Sequence, residues 1–202
     1  LATLSRQLNN FFSVFLPHKL KTDPTFKNTY TVFAGGDDLF LIGPWNRTIE
    51  LAKVLKQTFR DYVCNNSQIT ISAGISIHKA GVPVTTLAES SEHALKLSKS
   101  DDNGKKDRVT VFGETVKWAE FTELEVIRET IEKWIGAEKI NNAMIFRLNE
   151  LLEMARQAAE ILKAGTAHLE DMECLKWRSR LKYTVVRNIG KKLKGEDKEQ
   201  AI

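Results

Sequence analysis

Cysteine is scarce in this sequence: Cys64 and Cys174 are the only two in 202 residues. Their separation excludes a CxxC metal knuckle or redox pair, and both read as reduced packing residues. The four histidines, His18, His78, His93 and His168, have no ligand spacing, so no zinc site is implied. No run of eighteen apolar residues occurs, and the N-terminus lacks the charged-then-apolar pattern of a secretory signal. A membrane span and export are therefore not expected, and a soluble cytoplasmic protein is. The formal charge is only +4, which permits contact with nucleotides or nucleic acid without demonstrating it. What is present is ample core-forming material, 42% hydrophobic with 28% charged, enough for one large domain or two small ones. The sequence does not open on Met, and its first residues already carry helical spacing, so it is expected to begin inside a larger protein.

That opening, LATLSRQLNNFFSVFL, sets Leu1, Leu4, Leu8, Phe11, Phe12 and Phe15 on a helix, with a polar loop containing Pro17 and Pro24 after it. Residues 29–34 and 39–42 read as strands joined at Gly35-Gly36-Asp37-Asp38, a hairpin signal. A helix over 46–63 follows, N-capped by Asn46, with Ile49, Ala52, Leu55, Phe59 and Tyr62 on one face. Residues 68–77 read as a strand in which Ile69, Ile71, Ala73, Ile75 and Ile77 alternate, and Gly74 marks a close approach of a backbone or ligand. A helix over 83–100, with Leu87, Ala88, Ala94, Leu95 and Leu97 as its apolar positions, leads through SKSDDNGKKD to a last strand, RVTVF. The expectation for 1–113 is an α+β unit, an antiparallel sheet covered by helices on one face. A ferredoxin-like palm fits if one more strand precedes Leu1. Beyond Gly113 strand signals vanish and helices over 114–135, 140–163 and 167–193 are expected, the second carrying the stripe Ile145, Leu148, Leu151, Leu152, Ala155, Ala158 and Leu162. The domains are thus 1–113 and an all-α helical bundle, 114–202.

The chemistry centres on YTVFAGGDDLFLIGPW. Hard divalent ions take oxygen ligands and share their shell with phosphates, so vicinal Asp37 and Asp38 suit a metal-nucleotide site. On a regular strand the two would point to opposite faces; an irregular turn, permitted by Gly35 and Gly36, is needed for them to converge. Gly and Asp also dominate hairpin turns on conformational grounds alone, so the four residues by themselves leave both readings open.

The flanking segments add a resemblance. YTVFAGGDDLFLIGPW, followed in order by ITISAGISI, ALKLSK and GKKDRVTVFG, resembles the second palm domain of the large polymerase-cyclase subunit of type III CRISPR effector complexes, of the III-A kind. It extends to LATLSRQLNNFF and, more weakly, to LKWRSRLKYTVVRNI in the tail. The resemblance implies a palm related to nucleotide cyclases and GGDEF domains that binds ATP with Mg²⁺ or Mn²⁺ and joins AMP units into cyclic oligoadenylates when target RNA is bound elsewhere in the complex. It implies that Asp37 and Asp38 hold two metal ions, that Gly35 and Gly36 admit the nucleotide, and that Lys99 and Lys105 reach the triphosphate, with Lys106 and Arg108 as substitutes. Ser72 or Ser76 could offer a hydroxyl to phosphate or ribose, or simply face solvent.

In the tail, Lys176, Arg178, Arg180, Lys182, Arg187, Lys191, Lys192 and Lys194 fall in a span free of acidic residues, with Trp177 and Tyr183 among them. By the resemblance this helical domain packs on the small helical subunits of the complex, while guide and target RNA act indirectly. The family's palm also begins with a strand carrying further acidic residues and works against a first palm of the same subunit, so this chain alone is expected to be inactive. No His-Asp pair of the nuclease domain of such subunits occurs. The rivals are a diguanylate cyclase, whose usual motif ending is here replaced by Asp-Asp-Leu-Phe, and a non-catalytic scaffold palm.

Overall fold

The N-terminal helix does not stop at Pro17. In the computed structural model, which describes residues 2–100, 106–165 and 169–188, α1 (Ala2–Asn10) runs through a π turn (Phe11–Phe15) into α2 (Leu16–Thr22). The Leu16 N–H donates to the Phe11 carbonyl, five residues back, and Pro17 stands in the first turn of α2. Proline is tolerated at a helix start, where no intrahelical donor is needed. The wider turn also brings Phe11, Phe12, Leu16 and Leu20 into one core. Each contributes about 1.5–3 kcal/mol on burial, together more than the ~3 kcal/mol a proline costs inside a helix. Phe11 is fully buried, with ring contacts to Phe12, Phe15, Phe59 and Tyr62. Leu4 and Phe15 remain exposed.

After a 3₁₀ turn (Pro24–Phe26), β1 (Tyr30–Gly35) and β2 (Asp38–Ile42) form an antiparallel hairpin with a bulge between Thr31 and Phe33. Helix α3 (Trp45–Tyr62) lays Leu51, Leu55 and Phe59 on the aromatic core and Ala52 on a second cluster. Its N-cap is Pro44, so Asn46 lies inside the first turn rather than capping it.

The single antiparallel sheet expected from the sequence is not what forms. The hairpin is a two-stranded sheet, and a separate mixed sheet has the order β3 (Ala73–Ile75), β4 (Arg108–Val111), β5 (Glu114–Lys117). β3 runs parallel to β4, with α4 (Val84–Lys99) as the crossover that a parallel pair requires. The outer edges of β2 and β3 are unpaired among the described residues. The expected strand over 68–77 shrinks to three residues because its first half is engaged elsewhere. The Ile71 carbonyl accepts from Trp118 Nε1 at 2.8 Å, and Ser72 Oγ accepts from the Asp107 N–H at 3.1 Å.

β5 was not foreseen. It pairs with β4 across Phe112 and Gly113, whose φ values of 54° and 80° are both left-handed, as a two-residue hairpin turn of the primed kind requires. Phenylalanine is an unusual choice there, which hides the turn from sequence. Its ring meets Trp45 edge-on at 6.5 Å. Val109, Trp118 and Phe121 are buried in the cluster below this sheet.

Gly74 settles its own question. A Cβ built on it would stand 2.1 Å from the Leu95 nitrogen and 2.6 Å from the Ala94 carbonyl carbon. Backbone, not ligand, takes the space, and α4 packs flush on β3. On α4 the buried positions are Ala94 and Ser98, the Ser98 hydroxyl donating to the Leu95 carbonyl at 2.7 Å, whereas Leu97 is exposed.

The chain divides into two compact units, Leu1–Leu124 and Glu125–Ile202, the division falling inside α5 (Trp118–Gly136). The second unit continues with α6 (Asn142–Ala164), a 3₁₀ segment (Leu169–Lys176) where a longer helix was expected, and α7 (Trp177–Asn188). Asn141 caps α6 by accepting from the Met144 N–H, and Gly165 ends it at φ 68°. Met144, Leu151 and Ala158 are buried, but Leu152 and Leu162 of the expected stripe are exposed. Arg128 forks onto Glu125, each bond 3.1 Å, and also meets Glu132. Cys174 is buried, but Cys64 is exposed at φ 53°, so it is a turn residue rather than a packing one.

Gly74→Ala is expected to destabilise the first unit by about 1–3 kcal/mol or more, because backbone atoms cannot yield to the new methyl. A fall in Tm larger than that of Gly81→Ala, whose Cβ would meet open space despite its strained φ of 91°, checks this.

Candidate functional site

The hairpin tip is the candidate site. Gly35 pairs with Asp38 at the end of the ladder, leaving Gly36 and Asp37 as the two turn residues. Gly36 has φ 63°, and a positive φ at the first central position is the pattern of a type II′ turn. Asp37 is thus in the turn itself while Asp38 opens β2, which removes the regular alternation that would send neighbouring side chains to opposite faces. Gly36, Asp37 and Asp38 are all exposed. Neither aspartate makes an ion pair or side-chain hydrogen bond among the described residues. The Gly36 N–H donates to Asn9 Oδ1 at 2.9 Å, a bond from α1 that sequence reasoning did not anticipate.

The two glycines differ. A Cβ on Gly35 would meet the Phe33 ring at 3.5 Å, ordinary contact, and its φ is not positive. A Cβ on Gly36 would meet nothing within 4 Å but would be strained by its φ.

Of the lysines, Lys99 is exposed in the last turn of α4, and no hydrogen bond or ion pair joins it to the hairpin among the described residues. Lys105 lies outside the described residues. Lys106 is exposed, and Arg108 begins β4. At the base of this loop Asp107, at φ 75°, pairs with Lys56 of α3, whose ammonium sits 5.8 Å from the Trp118 ring. Ser72 is committed to the Asp107 N–H, so the structure gives it a local structural bond. Ser76 has no such partner among the described residues.

The donor set bounds what the tip can hold. Two carboxylates are hard oxygen donors that fit Mg²⁺ or Mn²⁺. No group of three or more His, Cys, Asp or Glu in a metal-holding arrangement occurs among the described residues. The aspartates would therefore supply part of a coordination shell, with phosphate oxygens, water or other protein groups completing it.

In the second unit the basic tail is partly compensated. Lys176 and Arg180 both pair with Glu173, and Lys176 first, then Arg180, hold that carboxyl below its ordinary value. Arg178 lies over Trp177 at 5.3 Å and Arg187 over Tyr183 at 5.8 Å. A groove of about 380 Å³ between α6 and α7 is lined by Arg147, Glu150, Leu151, Met154 and Arg180, among others. Lys191, Lys192 and Lys194 lie outside the described residues. No helix among those residues is long and apolar enough to cross a membrane.

An α+β unit carrying a hairpin with exposed carboxylates, followed by a helical unit, is the architecture of a palm joined to a helical domain. The chain belongs to the family Cas10/Cmr2, second palm domain, whose model matches residues 1–110. It is 42% identical over 84 residues to the CRISPR system single-strand-specific deoxyribonuclease Cas10/Csm1 (subtype III-A) of Methanocaldococcus jannaschii, covering 37% of this chain and 10% of that protein. With the Enterococcus italicus protein of the same description it shares 29% identity over 157 residues, 75% of this chain and 20% of the relative. Among solved structures, Csm1 in T. onnurineus superposes with a TM-score of 0.63 over 98% of this chain and 30% of that one at 19% identity. The Csm1-Csm4 cassette in complex with cA3 gives 0.61 over 92% and 28%, also at 19% identity. The chain thus spans a tenth to a fifth of the length of the curated relatives it matches.

Gly35→Ala is expected to leave Tm unchanged, whereas Gly36→Ala should lower it by the equivalent of about 1 kcal/mol, the cost of a left-handed non-glycine residue. Thermal melts of the two variants check this.

Proposed function

We propose that this chain is the nucleotide-handling palm of a type III CRISPR large subunit and that its hairpin takes part in making cyclic oligoadenylates from ATP. The observation that carries the reading is the pair of exposed aspartates on a II′ turn, with no cation partnered to either among the described residues, in a chain of the Cas10/Cmr2 second-palm family. Solved relatives of the same fold include a Csm1-Csm4 cassette in complex with one ATP and others with cA3 and cA4.

In this reading Asp37 and Asp38 hold Mg²⁺ or Mn²⁺ through their carboxylate oxygens. The ions, when bound, would activate a ribose 3′-hydroxyl and neutralise charge developing on the α-phosphate it attacks, with pyrophosphate leaving. Gly35 presents a backbone without a side chain to the nucleotide. Its freedom from conformational need makes it a glycine kept for close approach rather than for folding. Gly36 serves the turn. Lys99 offers a point charge to the triphosphate, and Lys105, Lys106 and Arg108 are the further cations of that segment.

The partners follow from the family: a first palm of the same subunit, other effector subunits, and guide and target RNA acting at a distance. Small helical subunits would meet the helical domain, whose arginines already stacked on Trp177 and Tyr183 suit a protein surface better than a free nucleic-acid platform. The carboxylate set at the tip is partial, so residues 1–202 alone are expected to make no product from ATP and Mn²⁺.

In the full-length subunit within its complex, Asp37→Ala with Asp38→Ala should lower cyclic oligoadenylate synthesis about 100-fold or more while leaving assembly intact. Unchanged product would defeat the metal reading and favour a scaffold palm. Turnover of GTP in preference to ATP would indicate a diguanylate cyclase instead.

A further inference from the structure

Among the described residues, the side chain of Asn9 makes the one hydrogen bond that reaches the Gly35–Asp38 turn from outside the hairpin. Asn9 lies at the end of α1, three residues before Phe12, and so on the same side of the helix one turn away. Phe12 and Phe11 are 3% and 0% exposed, rooted in the aromatic cluster. Asn9 itself is exposed and carries no core. Its amide therefore links a helix rooted in the buried aromatic cluster to the exposed turn.

We propose that Asn9 is a positioning residue for the Asp37–Asp38 pair: by accepting the Gly36 N–H at 2.9 Å it fixes the turn that presents both carboxylates to metal. The inference rests on the metal reading of the hairpin. A two-stranded hairpin is marginal in water on its own; this one is bulged between Thr31 and Phe33 and seats Leu39 and Leu41 against the aromatic core, which anchors the strands but not the turn. Carboxylates that share metal ions must be held within about 0.5 Å of a productive geometry. The turn needs an external brace, and Gly36 is where one can act, because a bond to its N–H restrains the peptide directly between the two glycines and leaves both carboxylates free. The side-chain chemistry is selective. A neutral amide accepts the bond without adding a third negative charge beside the two aspartates. With Oδ1 engaged, Nδ2 is left without a partner among the described residues.

The test uses the full-length subunit in its assembled complex, with ATP and a Mn²⁺ titration. Asn9→Ala should raise the Mn²⁺ concentration for half-maximal synthesis about 10-fold and lower kcat, with KM for ATP little changed, as loss of a group that orients metal ligands does. Tm should not move, since the side chain is exposed. Asn9→Gln, which keeps a neutral amide acceptor on a longer arm, should return half-maximal Mn²⁺ part of the way to wild type. If Asn9→Ala leaves the Mn²⁺ dependence unchanged, or only lowers Tm, the positioning role is overturned even where Asp37→Ala abolishes product. The role is also overturned if Asn9→Gln restores nothing. If Asp37→Ala leaves product intact, the metal reading itself fails.

Discussion

Burying two consecutive phenylalanines from one helix is the constraint on which the first unit depends. On a regular helix Phe11, Phe12, Leu16 and Leu20 would spread over about half the circumference; a widened turn brings them into a narrower arc facing one core. The π turn at Phe11–Phe15 supplies the extra residue. Insertions of this kind recur at functional sites. Here the consequence is spatial: once Phe11 is wedged against Phe59 and Tyr62, the direction of α1 is set, and with it the place where Asn9 meets the hairpin.

The second organising contact is made without side chains. α4 lies so close on β3 that Gly74 leaves no room for a methyl group, and this ties the helix carrying Lys99 to the mixed sheet. The Lys56–Asp107 pair beside Trp118 closes the same sheet at the foot of the following loop.

Much of this was legible in the sequence because it is periodic. The α3 face from Ile49 to Tyr62, the hairpin about Gly35-Gly36-Asp37-Asp38 and the helix expected over 83–100 all follow from spacing and turn chemistry, although the helix's role as a crossover between parallel strands does not. The α+β palm with a helical domain after it was readable from the same pattern and from the motif order. What escaped was decided by contacts between distant segments. Pro17 reads as a break until the π turn is seen. Phe112 conceals a hairpin because a bulky residue occupies a left-handed position. The strand expected over 68–77 is cut to Ala73–Ile75, with Ile71 and Ser72 engaged by Trp118 and Asp107, forty or so residues on. At the site the aspartates announce themselves, but Asn9 does not, since an asparagine near a helix end has many reasons to be there.

The divided sheet has a further bearing on how this polypeptide behaves in solution. β2 reads Asp-Leu-Phe-Leu-Ile and has one ladder partner among the described residues, so its other backbone edge offers a row of donors and acceptors without a strand partner there, beside apolar side chains. Such an edge does not discriminate between a neighbouring segment of its own protein and the same strand of a second molecule. Pairing of β2 with a further segment of protein and self-association of two copies through β2 are therefore competing outcomes at that edge.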